Sequence, residues 1–271
     1  MPKGYLEPNV INWAKRSSWS GADLRRALSA RGLDPQVGIH GVYELARGFL
    51  AAENQADAQC NFSILSELDP EFGPTPTMLF DKELDRLRTG AMVIPVLDEL
   101  NRASVRQQVM QMAAGYLETV GREFVSRREA SIDRDYPRFT SQQLVQVRRA
   151  VVAGRPRPKT FEDVLAEFDD QVPGIIRQLF GNRVSVSEAA EMHARLNEFP
   201  ALRSTVRANL YQWAVPLIHD TGAARDKNDD YRHVIEASYC EALVTGDEQL
   251  ARTTPRLHPG LLVVTWSELG G

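Results

Sequence analysis

Apolar residues divide the chain into two ends, where short apolar runs alternate with helical stretches, and a middle of helical spacing. Residues 4–11 (GYLEPNVI) begin as a short strand and turn at Pro8, whose fixed φ suits the first turn of a helix. Leu24, Ala27 and Leu28 recur at helical spacing in residues 23–31, and Gly32 ends that helix. Residues 36–40 predict a second strand, and residues 42–52 a helix with Val42, Leu45, Ala46 and Phe49 on one side. Towards the other end, residues 230–240 read as a helix, 242–245 as a buried strand and 261–264 as another strand, with a short helix after Asp247. Such alternation predicts right-handed crossovers and a mostly parallel sheet.

Residues 75–218 carry helix signals and almost no strand alternation. Thr160-Phe-Glu-Asp163 and Ser185-Val-Ser-Glu188 resemble capping boxes, the first with Asp in place of Glu. Pro173 stands where a helix can begin and Pro200 where one can end, while residues 154–158 (GRPRP) break the preceding helix as a loop or linker. The expected plan is an α/β core split in sequence, residues 1–74 and 219–271, interrupted by a mostly helical insertion at 75–218.

Composition narrows the class. In 271 residues no apolar run reaches the length needed to span a bilayer, so no membrane role is expected. The first ten residues lack a secretory pattern, and two cysteines, Cys60 and Cys240, are too few for a disulfide scaffold or a cysteine-based zinc site. The expectation is a reduced, soluble, cytoplasmic protein with Cys240 in its core. A net charge of −4 argues against nonspecific coating of nucleic acid. The stretch 122–159 nevertheless holds ten basic residues against four acidic ones, and arginines outnumber lysines 27 to 5. Arginine suits phosphate recognition, although a solvated helix face explains such a stretch equally well.

Four carboxylates stand next to strand ends or helix starts: Glu7 after the first strand, Glu44 early in a helix, Asp230 near a helix start and Asp247 just past a strand. In open parallel sheets, ligand sites lie beyond the carboxyl ends of the strands. Each acid also has an ordinary use. Asp230 and Asp247 can cap helices, Glu44 can pair with Arg47, and Glu7 can be a turn residue. The five histidines show no metal-ligand spacing, and His233 is expected to pack or hydrogen-bond locally. Nucleophile arrangements of the Ser/His/Asp or Cys/His kind and phosphate-cradling glycine motifs do not occur.

The order of these segments resembles the PIN domain, a metal-dependent nuclease family. The resemblance rests on Leu6-Glu7-Pro8-Asn9-Val10-Ile11, Glu44-Leu-Ala-Arg-Gly48, Asp230-Tyr-Arg-His233 and Thr245-Gly-Asp247, and it covers roughly residues 4–65 and 225–266. It implies a PIN-like parallel sheet flanked by helices, with Glu7, Glu44, Asp230 and Asp247 as catalytic acids that bind Mg²⁺ or Mn²⁺. Four gathered carboxylates raise one another's pKa unless a divalent cation offsets them. Asn9 and Thr245 would orient the metal's waters by hydrogen bonds. The family's first acid is usually Asp; the longer Glu7 shifts the metal, favours Mn²⁺, or marks lost activity.

The implied function is a divalent-metal-dependent nuclease, an endoribonuclease acting on single-stranded nucleic acid, with RNA preferred by resemblance. Arg148, Arg149, Arg155 and Arg157 are the candidate nucleic-acid contacts. An inhibitory protein partner and a homodimer are compatible with this reading. The alternative is a catalytically weak or inactive PIN-like protein whose helical insertion binds a protein partner.

Overall fold

A computed structural model of the protein describes residues 1–115, 122–127, 158–219 and 227–270. Its strands are β1 (Lys3–Leu6), β2 (Asp34–Gly38), β3 (Glu71–Gly73), β4 (Ala242–Thr245) and β5 (Leu262–Thr265). They form one five-stranded sheet in the order β3-β2-β1-β4-β5, and every neighbouring pair is parallel. Helices flank it: α1 (Pro8–Arg16), α2 (Gly21–Ala30), α3 (Ile39–Ala46), α4 (Gln55–Leu68), α5 (Pro76–Thr89) and α6 (Glu99–Ala113). Then come α7 (Phe161–Glu167), α8 (Val172–Phe180), α9 (Val186–Ala194), α10 (Pro200–His219), α11 (Lys227–Glu236) and α12 (Glu248–Leu257). The class is α/β with an all-parallel sheet, as the strand–helix alternation predicts. Among the described residues no helix is long and apolar enough to cross a membrane.

Successive residues of β1 serve opposite faces of the sheet. Leu6 packs into one core with Val10, Phe49, Phe62 and Phe72, whereas Tyr5 packs into another with Tyr231, Val234, Leu243 and Leu250. Both faces are thus covered, and this is why β4 reads as an unbroken apolar run. The described part of 75–218 is shared between two cores. Leu97, Val105, Val109 and Met112 join the first core, while Leu79, Phe80 and much of α7 to α10 surround a separate cluster that reaches Ile235 of α11.

The capping boxes form at Thr160/Asp163 and Ser185/Glu188, and Asp serves as well as Glu. Pro173 is the second residue of α8. Pro200, however, opens α10 rather than closing a helix. A first-turn N–H has no intrahelical acceptor, so proline loses nothing there. Predicted residues 36–40 and 42–52 are displaced. β2 ends at Gly38, and α3 begins at Ile39, three residues before the predicted start, with a 3₁₀ turn from Arg47 to Leu50 completing it. Gly38 is required because a Cβ there would lie 1.7 Å from Oε2 of Glu236.

Candidate functional site

The chain runs from β1 to β2 and β3 on one side, then returns through β4 to β5 on the other, so the strand order reverses between β1 and β4. Crossovers diverge at such a point and leave a crevice beyond the strand ends, where open α/β sheets bind ligands. Glu7 follows β1 there, buried at the N-cap position of α1 with Pro8 as the first helical residue. Thr245 closes β4 beside it. Its Oγ1 donates to Oε2 of Glu7 at 2.8 Å and accepts from the Asp247 N–H at 2.9 Å. One hydroxyl therefore ties two of the predicted acids' segments together across neighbouring strands.

Asp247 is half-buried and caps α12, its Oδ1 accepting from the N–H groups of Gln249 at 2.6 Å and Leu250 at 2.8 Å. The ordinary helix-capping use of this acid is thus realised. Asp230 is half-buried on α11. Asn9 lies in the first turn of α1 and shares a cavity of about 470 Å³ with Glu44, Lys15 and Arg16. A second cavity, of about 600 Å³, is lined by Trp13, Asp247, Arg252 and Trp266. Arg148, Arg149, Arg155 and Arg157 lie outside the described residues, as does the predicted loop from 154 to 157.

The converging group centres on Glu44. Its Oε2 lies 3.1 Å from Nε2 of His233, and its Oε1 lies 3.2 Å from Nε2 of His40, one helical turn earlier on α3. Potential metal-donor atoms of His40, Glu44 and His233 all fall within 4.8 Å of one another, the one such group of three among the described residues. Glu44 is the single predicted acid in it. Both imidazoles are buried, and the Glu44 side chain is 24% exposed. Behind them, Nδ1 of His233 lies 2.9 Å from the Tyr5 hydroxyl, which donates to Oε2 of Glu236 at 2.9 Å. The other oxygen of Glu236 accepts from the His40 N–H at 3.3 Å.

Electrostatics follow from this packing. Burial alone would hold His233 neutral, but Glu44, with Glu7 and Glu236 further off, pushes its pKa up to about 9. The imidazolium donates through both nitrogens, to Tyr5 and to Glu44. Burial acts against the Glu44 carboxylate, yet His233 and His40 hold its pKa well below the usual range. His40 goes the other way. Burial lowers it to about 4 despite Glu44, so it is neutral near pH 7. Burial raises the Glu7 carboxyl, assisted by Glu44 and opposed by His233 and the Thr245 hydroxyl.

The donor set bears on the expected Mg²⁺ or Mn²⁺. Glu44 and the buried, acid-rich surroundings suit a divalent cation, and the convergent partners of Glu44 are imidazole nitrogens rather than carboxylates. Sequence reasoning missed both histidines as ligand candidates. The signal was present as His40-x-x-x-Glu44, an i,i+4 pair on one helix face, but the predicted strand ended at His40 and hid it. Comparison of the chain with protein-family models, curated proteins and solved structures gives no match.

Proposed function

We propose that the protein is a divalent-metal-dependent phosphodiester hydrolase, a nuclease whose expected substrate is single-stranded RNA and whose expected ion is Mg²⁺ or Mn²⁺. The observation that carries this reading is the Thr245 hydroxyl joining Glu7 to the Asp247 backbone at the reversal point of the sheet, beside the Glu44 cluster. The PIN-like motif order supports the reaction class, and the motif segments of Glu7, Thr245 and Asp247 meet at strand ends. A divalent ion bound at this edge would polarise a phosphoryl oxygen and activate water for in-line attack. Burial raises the Glu7 pKa, the direction that favours a carboxylate accepting a proton from the attacking water. Thr245 holds the Glu7 carboxylate by its hydrogen bond, and the adjoining cavity carries Arg16 beside Lys15, which pairs with Asp57 at 2.8 Å.

One observation favours a second reading, a non-catalytic protein whose helical middle binds a protein partner. His233, charged in the midst of Glu7, Glu44 and Glu236, already supplies the cation that these carboxylates need. The test is cleavage of a labelled single-stranded RNA by the full chain with Mg²⁺ or Mn²⁺, beside Glu7→Gln and Asp247→Asn. The nuclease reading expects metal-stimulated cleavage that falls at least about 100-fold in Glu7→Gln, the scale of a lost acid or base. Absence of cleavage, or equal rates in all three proteins, overturns it. Asn also caps helices well, so Asp247→Asn is expected to keep its fold.

A further inference from the structure

We infer that His40, Glu44 and His233 form a specific seat for a first-row divalent ion of the zinc class, distinct in chemistry from a carboxylate cage for Mg²⁺. The argument begins with spacing. Two ligands of a tetrahedral ion, each about 2.0–2.1 Å from it, lie roughly 3.3 Å apart. The two imidazole Nε2 atoms stand 3.1 and 3.2 Å from the two oxygens of Glu44, and the set closes within 4.8 Å. Converting the hydrogen-bonded arrangement into a coordinating one therefore asks the widest pair to close by up to about 1.5 Å and His233 to release its Nε2 proton to solvent as the ion binds.

The support behind the ligands is already built. An imidazole that ligates through Nε2 commonly donates its Nδ1–H to an oxygen, which fixes ring and tautomer. His233 has that partner in the Tyr5 hydroxyl, and Tyr5 is in turn held by Glu236. Glu236 reaches this position only because residue 38 is glycine. His40 is fixed differently, by helix α3, which sets it one turn from Glu44. Glu44 also lines the cavity of about 470 Å³, so one of the three residues meets solvent while both imidazoles are buried. Three protein donors leave a fourth position open on that side, the usual layout of a reactive rather than a purely structural zinc-class site.

Donor type decides the ion. Imidazole suits zinc, cobalt, nickel and ferrous ions, whereas magnesium prefers oxygen ligands and sheds its water reluctantly. The seat stands independently of the nuclease reading, because binding is measured without substrate.

The test titrates Zn²⁺ and Mg²⁺ into chelator-treated full-length protein carrying Cys60→Ser, which removes the exposed thiol. Co²⁺ is then added as a spectroscopic stand-in. The inference expects one-site Zn²⁺ binding at least about 100-fold tighter than Mg²⁺ and an intense visible Co²⁺ band of low coordination number. Tyr5→Phe, nearly isosteric, is expected to weaken Zn²⁺ by about 10–100-fold through loss of the oxygen facing Nδ1. Glu44→Gln is expected to weaken it at least as much. Zn²⁺ no tighter than Mg²⁺, a weak octahedral Co²⁺ spectrum, or wild-type affinity in Glu44→Gln overturns the inference. If a variant fails to fold, the Co²⁺ spectrum of the otherwise unaltered chain decides alone. Zn²⁺ binding without RNA cleavage would keep the seat and remove the nuclease; Mg²⁺-driven cleavage without Zn²⁺ binding would do the reverse.

Discussion

Glu83 offers a measurable contest between burial and hydrogen bonding. It lies on α5 with no exposed surface. Its Oε1 accepts from the Ala201 N–H at 2.8 Å and the Tyr239 hydroxyl at 2.8 Å, and its Oε2 accepts from the Leu202 N–H at 2.9 Å. A single carboxyl group thus joins α5, the first turn of α10 and the segment between α11 and β4. Burial pushes its pKa up from 4.5 to about 7, against the pull of those three donors. The sign then follows by linkage. The folded state holds a proton that the unfolded state has released between these two values, so stability is fullest below about pH 4.5 and is lost as pH rises through about 7.

A rise from 4.5 to about 7 corresponds to about 3 kcal/mol in full, most of which falls between pH 5 and 8. Glu83→Gln has no such titration. Its amide must face at least one N–H donor with its own NH₂, a cost of about 1–3 kcal/mol that does not vary with pH. Urea unfolding of both proteins at pH 5 and pH 8 isolates the term, since every other titrating group cancels in the difference. The stability advantage of the wild type over Glu83→Gln is expected to shrink by about 2–3 kcal/mol between pH 5 and pH 8. A constant difference would refute the reasoning. That result would show that three donors and a helix N-terminus outweigh burial, with Glu83 ionised throughout.

Other outcomes can be checked separately. Thr245→Val removes the donor to Glu7 and the acceptor for the Asp247 N–H, so it is expected to destabilise the fold by about 1–3 kcal/mol in urea; Thr245→Ser should retain most of that, and equal loss in both would sink the argument. Alkylation of the native protein at pH 8 is expected to label exposed Cys60 well before Cys240, whose thiol burial pushes up to about 12; mass spectrometry showing equal labelling would contradict it. If the basic stretch carries substrate phosphates, reversing Arg148 and Arg149 to Glu should flatten the salt dependence of RNA binding by ~0.7 log units per lost contact. Parallel salt plots for the two proteins would place the binding groove elsewhere.

The parts of this fold legible in the sequence are those in which a few neighbouring residues determine the outcome. β4 is the clearest case, since residues 242–244 are apolar, Thr245 closes the run, and all four are buried. Pro8 as a helix start and the Thr160 and Ser185 boxes are equally local, because each satisfies the N–H groups of one first turn. β3 is illegible for the opposite reason. Glu71-Phe-Gly73 has no pattern of its own, and only pairing with Gln36, Val37 and Gly38 makes it a strand.

The same distinction separates the two halves of the site. Glu7, Thr245 and Asp247 could be placed from strand ends alone, since parallel strands deliver their carboxyl ends to one edge. The His40–Glu44–His233 group required knowledge that no window contains. His233 lies 189 residues from Glu44 and is brought to it by the return of the chain into β4. Even the local pair His40–Glu44 was hidden, because the β-branched residues Val37 and Ile39 make that stretch resemble a strand running to His40. At the end of that strand the Glu236 carboxylate packs against Gly38, a contact from the opposite end of the sequence. The same carboxylate holds Tyr5 behind His233 and accepts from the His40 N–H, so the end of β2 and the support of the ligand pair meet at one side chain.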